Sequence, residues 1–189
     1  MQKLRFGKAA RHDRSAGQSL AELAIVLPVL LLLLLSILQI GFLIVTQIGL
    51  TNATREASRN AASIPVAMAT QAAPAASTYY ARLRDPSSGL LKRNIGGYDP
   101  NRLIESGGVR TRICYFSFTD ASGAPAIMAR AEVEYSHPLF IPLIAQILDG
   151  LDGVSDGGLR LGVTEDIRVG NTALLSTDIG NSGSPICNP

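Results

Sequence analysis

Between Leu23 and Val45 the chain runs for 23 residues without a charge, LAIVLPVLLLLLLSILQIGFLIV. A helix of that length spans about 35 Å, against a bilayer hydrocarbon core of about 30 Å. A core helix of a soluble domain is seldom so long or so uniformly apolar, so the run is read as a membrane span. A secretory signal peptide fits less well. Its apolar stretch covers about 7–15 residues and a small-residue cleavage site follows closely. Here the small residues of NAASIPVAMA begin only at Asn60. Pro28 removes one backbone donor inside the run, which membrane helices tolerate where neighbours satisfy the freed carbonyl. Gln39 has two readings, a residue facing protein or a polar residue tolerated in lipid.

Charge orients the span. Residues 1–17 hold Lys3, Arg5, Lys8, Arg11 and Arg14 against Asp13, a net of +4, whereas the whole chain carries only +2. Residues 18–189 are therefore slightly acidic. Basic residues ahead of a span stay on the cytoplasmic side, which places everything after about residue 46 outside. With its basic charge confined to the leader and no Trp among few aromatic residues, the chain has no nucleic-acid surface.

Signatures of catalysis and of metal or cofactor binding are lacking. His12 sits in the leader, and His137 precedes Pro138 in a turn-like position without a nucleophile partner. Asp149, Asp152 and Asp156 are spaced by three and four, unlike the alternate ligands of a calcium loop. The glycine pairs near 96 and 107 have no phosphate-loop frame. The reading is a non-enzyme with no cofactor and no metal.

Glu22 stands at the entrance of the apolar run. A charge at the centre of a bilayer costs about 2.5–3.5 kcal/mol on insertion scales, so such a residue is a functional candidate. A basic leader, Gly17, the four residues Gln18-Ser19-Leu20-Ala21, Glu22 and a long apolar run together resemble a type IV prepilin processing site. The resemblance implies that prepilin peptidase cuts between Gly17 and Gln18. It also implies that Glu22 pairs with the amine so released, on its own subunit or a neighbour.

A narrower likeness joins Glu22 and the early Pro28 to Asn52-Ala53-Thr54-Arg55-Glu56-Ala57-Ser58-Arg59 and, more loosely, to Ala129 to Leu143. These residues resemble the TadE-like family of pseudopilins of tight-adherence (Flp) pili. They do not separate the TadE type from its sister TadF type. Leu23 stands where the major Flp pilin usually has Tyr, which favours a minor pseudopilin over the main filament subunit. The implied partners are prepilin peptidase, other pilin or pseudopilin subunits, inner-membrane pilus assembly proteins and membrane lipid. The implied location is the bacterial inner membrane, with the C-terminal domain periplasmic. The alternative is an uncleaved single-pass anchor displaying a binding or secretion-accessory domain.

The rest reads as an α+β, pilin-like domain carried on one long helix. Residues 1–17 form the leader, 18–63 the helix with its span at 23–45, and 64–189 the extracytoplasmic domain. Ala53, Ala57 and Ala61 recur every fourth residue and line one helical face, while Arg55, Glu56 and Arg59 lie off it on a solvated face. Residues 64–108 read as a short helix at STYYARLRD plus ordered loops. Strands are expected at GVRTRICYFSF, AIMARAEVEYS and GLRLGVTEDIRVG, the first two joined by a turn at Asp120 to Pro125. Val109, Thr111, Ile113 and Tyr115 share one face of the first. In the second, Ile127, Ala129, Ala131, Val133 and Tyr135 alternate with charges. Pro138 and Pro142 oppose a strand, and Leu143 to Leu148 suits a short helix. Phe140 and Ile141 form either a contact patch or ordinary core. An oxidising compartment favours a disulfide between Cys114 and Cys187, worth roughly 4 kcal/mol by chain entropy and pinning the tail. Two free thiols are the alternative.

Overall fold

The computed structural model describes residues 13–63, 69–105, 111–141, 145–146, 157–170, 179 and 184–188. Helix α1 runs from Asp13 to Ala62, a continuous 50 residues that pass through Pro28. Helices α2 (Ala69–Arg84) and α3 (Leu90–Asn94) follow, then a 3-10 turn at Pro100–Arg102. Strands β1 (Arg112–Thr119), β2 (Pro125–Pro138), β3 (Gly158–Arg168) and β4 (Ile186–Cys187) form one antiparallel sheet in the order β3-β2-β1-β4. This is the expected α+β architecture. Val109 and residues 149, 152 and 156 lie outside the described residues, as does all of the 143–148 segment except its helical residues 145–146.

The alanine stripe explains how a helix and a sheet come so close. Leu50, Ala53, Ala57 and Ala61 are buried against Ile113, Tyr115, Ala129, Ala131 and Val133. Small side chains on both surfaces let the backbones approach. The Tyr115 hydroxyl then donates to the carbonyl of Ala61 at 2.8 Å. That carbonyl belongs to the last turn of α1, where no helical partner remains for it. Burial pushes the Tyr115 phenol well above its ordinary value, so it stays a donor.

α1 and β2 lie side by side and run in opposite directions. Tyr115, paired with Ala129 on β2, reaches Ala61, whereas His137 reaches Thr46. From Ala61 to Thr46 the helix advances about 22 Å, and from Ala129 to His137 the strand advances about 26 Å. The two elements thus keep pace along the whole domain.

The remaining helical layer is larger than the sequence reading allowed. α2 begins eight residues before STYYARLRD and holds Pro74 in its interior. A proline there removes a backbone bond. Ala72, Ala76, Tyr79 and Leu83 nevertheless form a buried stripe at helical spacing, and their packing outweighs the local cost. Gly49 of α1 sits against the end of α3, where an added Cβ would come within 2.3 Å of the Asn94 carbonyl oxygen.

On the opposite face of the sheet, charges pair across strands. Arg112 bonds Glu132, and Arg130 forms a two-pronged contact with Asp166 at 2.7 and 2.8 Å. Arg130 also lies over the Phe116 ring. The alternating Arg130, Glu132 and Glu134 of β2 are thus a cross-strand ladder. At the β1–β2 hairpin the Asp120 carboxylate accepts from the N–H groups of Ser122 and Ala124. Gly123 adopts φ +83°, which L residues rarely accept. Cys114 and Cys187 face each other across β1 and β4 and are joined by a disulfide. Next to it, the Ile113 N–H donates to the Asn188 side-chain oxygen at 2.7 Å, so the tail is tied twice.

Candidate functional site: an exposed apolar helix and its collar

From Leu20 to Val45 nearly every large apolar side chain is exposed, a condition a soluble protein does not sustain. The helix is long and apolar enough to cross a membrane, with a mean hydropathy of 2.9 over its richest window.

Glu22 lies at the start of this surface and is itself exposed. The Gln18 side-chain amide donates to its carboxylate at 3.3 Å, one helical turn away. Gly17 lies within α1, so the Gly17–Gln18 peptide bond is helical. Cys114 and Cys187 are far from this end, on the sheet edge.

Inward-facing residues appear along α1 earlier than the sequence reading placed the domain. Gln39 is only 2% exposed, six residues before the end of the 23–45 run. Its Oε1 accepts from the backbone N–H of Phe140 at 3.2 Å. Of the two readings of Gln39, the protein-facing one is correct. Thr46 and Leu50 follow on the same side, seven and eleven residues after Gln39, leading into the alanine stripe. Leu139 to Ile141, just after β2, therefore lie at the level of the upper part of the apolar run and form a collar there.

His137 belongs to this collar. It is the penultimate residue of β2 and is buried, not turn-borne as its proline neighbour indicated. Its Nδ1 and the Thr46 hydroxyl are 3.0 Å apart, and Thr46 also bonds the Phe42 carbonyl. Burial, with a contribution from Arg102, lowers the His137 pKa below its ordinary value. A cavity of about 390 Å³ opens beside it, walled largely by Phe42, Val45, Ile95, Tyr135 and Phe140. Phe140 itself is 67% exposed and so is not part of the core.

Further up, Arg55 donates to Glu165 of β3 at 2.8 Å and Arg93 approaches Glu56 at 3.5 Å. Arg55, Glu56 and Arg93 are about half exposed, as a solvated face implies, but Arg55 and Glu56 also hold the helix to the domain. Gly49, Thr46 and Glu165 carried no signal in sequence, since each matters only through what packs beside it. Among the described residues no group of three His, Cys, Asp or Glu side chains is placed to hold a metal ion.

An exposed apolar helix that begins at a glycine–glutamate pair and continues into an Asn-Ala-x-Arg-Glu-Ala face is distinctive. Residues 17–59 match the family described as TadE-like protein. The N-terminal segment is TadE-like. No curated protein and no solved structure matches the chain. The TadE-like match starts at Gly17 and stops at Arg59, covering the apolar run, Glu22 and the helix–domain contact while leaving the sheet outside it.

Proposed function

We propose that the chain is a minor pseudopilin of a tight-adherence pilus, cut by prepilin peptidase after Gly17. The observation that carries the reading is the coincidence of a TadE-like match beginning at Gly17 with an exposed apolar helix whose first charge is Glu22. Cleavage frees the α-amine of Gln18, one turn from that carboxylate. A carboxylate in a low-dielectric setting is favourable only when paired, and the new amine supplies the pair within the subunit or between neighbours. Gly17 aids the cut, because a glycine costs a helix about 1 kcal/mol relative to alanine and eases local unwinding. The chain enters the inner membrane with its leader in the cytoplasm and its disulfide-bonded domain in the periplasm, where thiols oxidise. Its partners are prepilin peptidase and the other subunits and inner-membrane proteins of pilus assembly.

Intact mass of the protein expressed with and without prepilin peptidase tests this. Residues 1–17 are lost only when the peptidase is present, and Gly17→Val blocks the loss. A chain that still begins at residue 1 would identify an uncleaved single-pass anchor and end the pseudopilin reading. Glu22→Ala leaves processing intact and reduces recruitment into the assembly; undiminished pilus formation would remove the pairing role of Glu22.

A further inference from the structure

The domain is fastened to α1 at a level that belongs to lipid. A hydrocarbon core of about 30 Å takes about 20 helical residues, so a core that begins at Leu23 ends near Phe42. Gln39, which accepts the Phe140 N–H, lies three residues inside that limit, about 4–5 Å along the axis. Between Glu22 and Arg55 the chain has no charged residue, so only the lower boundary is fixed. Shifting the core toward Arg55 sinks Phe140 deeper, and no placement that keeps Glu22 outside lifts it clear.

The composition of the collar matches that depth. Phe140 projects into the open beside Phe42 and Val45, which are both more than half exposed. The collar's described residues Leu139 to Ile141 carry no charge. At this level the Gln39 side-chain oxygen accepts from the Phe140 amide, while the buried Gln39 Nε2 has no hydrogen-bond partner. Aromatic and aliphatic side chains presented beside an exposed apolar helix are the features of an interfacial anchor.

We infer that Phe140 and Ile141 dip into the outer leaflet, so that the domain is seated in the bilayer surface rather than held above it on a stalk. The occupant of this apolar collar is phospholipid. The inference rests on α1 spanning the membrane, and its test reports on that separately.

The chain contains no Trp, so single-Trp variants give unambiguous emission. Leu34→Trp marks the middle of the span, Phe140→Trp the collar, and Phe118→Trp the far end of the sheet. Ala126, opposite Phe118, lies about 40 Å of strand from Pro138. Each full-length variant is reconstituted into phosphatidylcholine vesicles with and without lipid brominated near the headgroup end of the acyl chain. Phe140 is exposed, so the replacement is compatible with folding. Brominated lipid reduces F140W emission about twofold, as befits a ring seated about 5–10 Å into the boundary, and leaves F118W unchanged. F140W unquenched while L34W is quenched by lipid brominated near the methyl end overturns the inference and leaves the span intact. F140W shielded from aqueous iodide but untouched by bromolipid means another protein subunit covers the collar, which also overturns it. L34W unquenched removes the span and the inference with it.

Discussion

Gly49 offers the sharpest test of how α1 holds the domain. Replacing it by alanine places a methyl carbon 2.3 Å from the Asn94 carbonyl oxygen and 3.4 Å from Ile95 Cγ1. Carbon and oxygen rest at about 3.3 Å or more, so the end of α3 must retreat by about 1 Å. The obstacle is backbone, which cannot rotate away as a side chain would. The retreat loosens Leu91 and Ile95, both buried against α1. Overpacking of this kind costs about 1–3 kcal/mol. The exchange also gains up to about 1 kcal/mol of helix propensity. The net expectation is a loss of about 1–2 kcal/mol. For a domain of this size that lowers Tm by roughly 3–10 °C. Thermal unfolding of the full chain in detergent reads the change. Gly41 serves as the internal control, because a Cβ there meets nothing within 4 Å. Gly41→Ala leaves Tm unchanged or raised. If Gly49→Ala melts with or above the parent protein, the close approach of α1 and α3 is wrong.

Other expectations follow from the same contacts. Breaking the disulfide with Cys114→Ser and Cys187→Ser opens a loop of 73 residues and costs roughly 4 kcal/mol in the chain-entropy model, read by urea denaturation. Equal midpoints with and without the bond would show that the tail adds nothing. A double-mutant cycle on Arg55 and Glu165 gives a coupling below about 1 kcal/mol, since both are partly exposed; a value of several would contradict that exposure. His137 is held neutral in the fold, with its pKa below the unfolded value. Its contribution is complete above about pH 6.5 and is lost as pH falls from there toward the folded value. Tm therefore declines between about pH 7 and pH 5, and His137→Asn flattens that decline; an unchanged slope would place the titration elsewhere.

The parts of the fold that follow from local rules were readable before any coordinates. An uncharged run sets a helix, alanines at every fourth position set its packing face, and apolar–charged alternation sets β2. The Asp120 turn needed only an acid and a glycine. The disulfide was one of two open readings until β4 was seen to pair with β1, because pairing depends on sheet order. α2 was underestimated because Pro74 and the alanines look like linker, and its stripe acquires meaning only against the sheet. His137 was misplaced for a similar reason: a following proline ends a strand but does not expose the residue before it. At the candidate site, Gly17, Gln18 and Glu22 stand out through spacing alone. The collar does not, since the bond between Gln39 and Phe140 joins residues 101 apart in the chain.

The side-by-side course of α1 and β2 has a mechanical consequence. A pull along the helix axis meets the Tyr115–Ala61, Arg55–Glu165 and Thr46–His137 contacts in shear, all loaded together rather than peeled in turn. The disulfide lies on the far edge of the sheet and carries none of that first load. Drawing the helix out of a bilayer should therefore lift the domain as one body. Single-molecule pulling between the two ends of α1's domain contact and the sheet would register one large rupture; a staircase of small ones would show that the helix unzips.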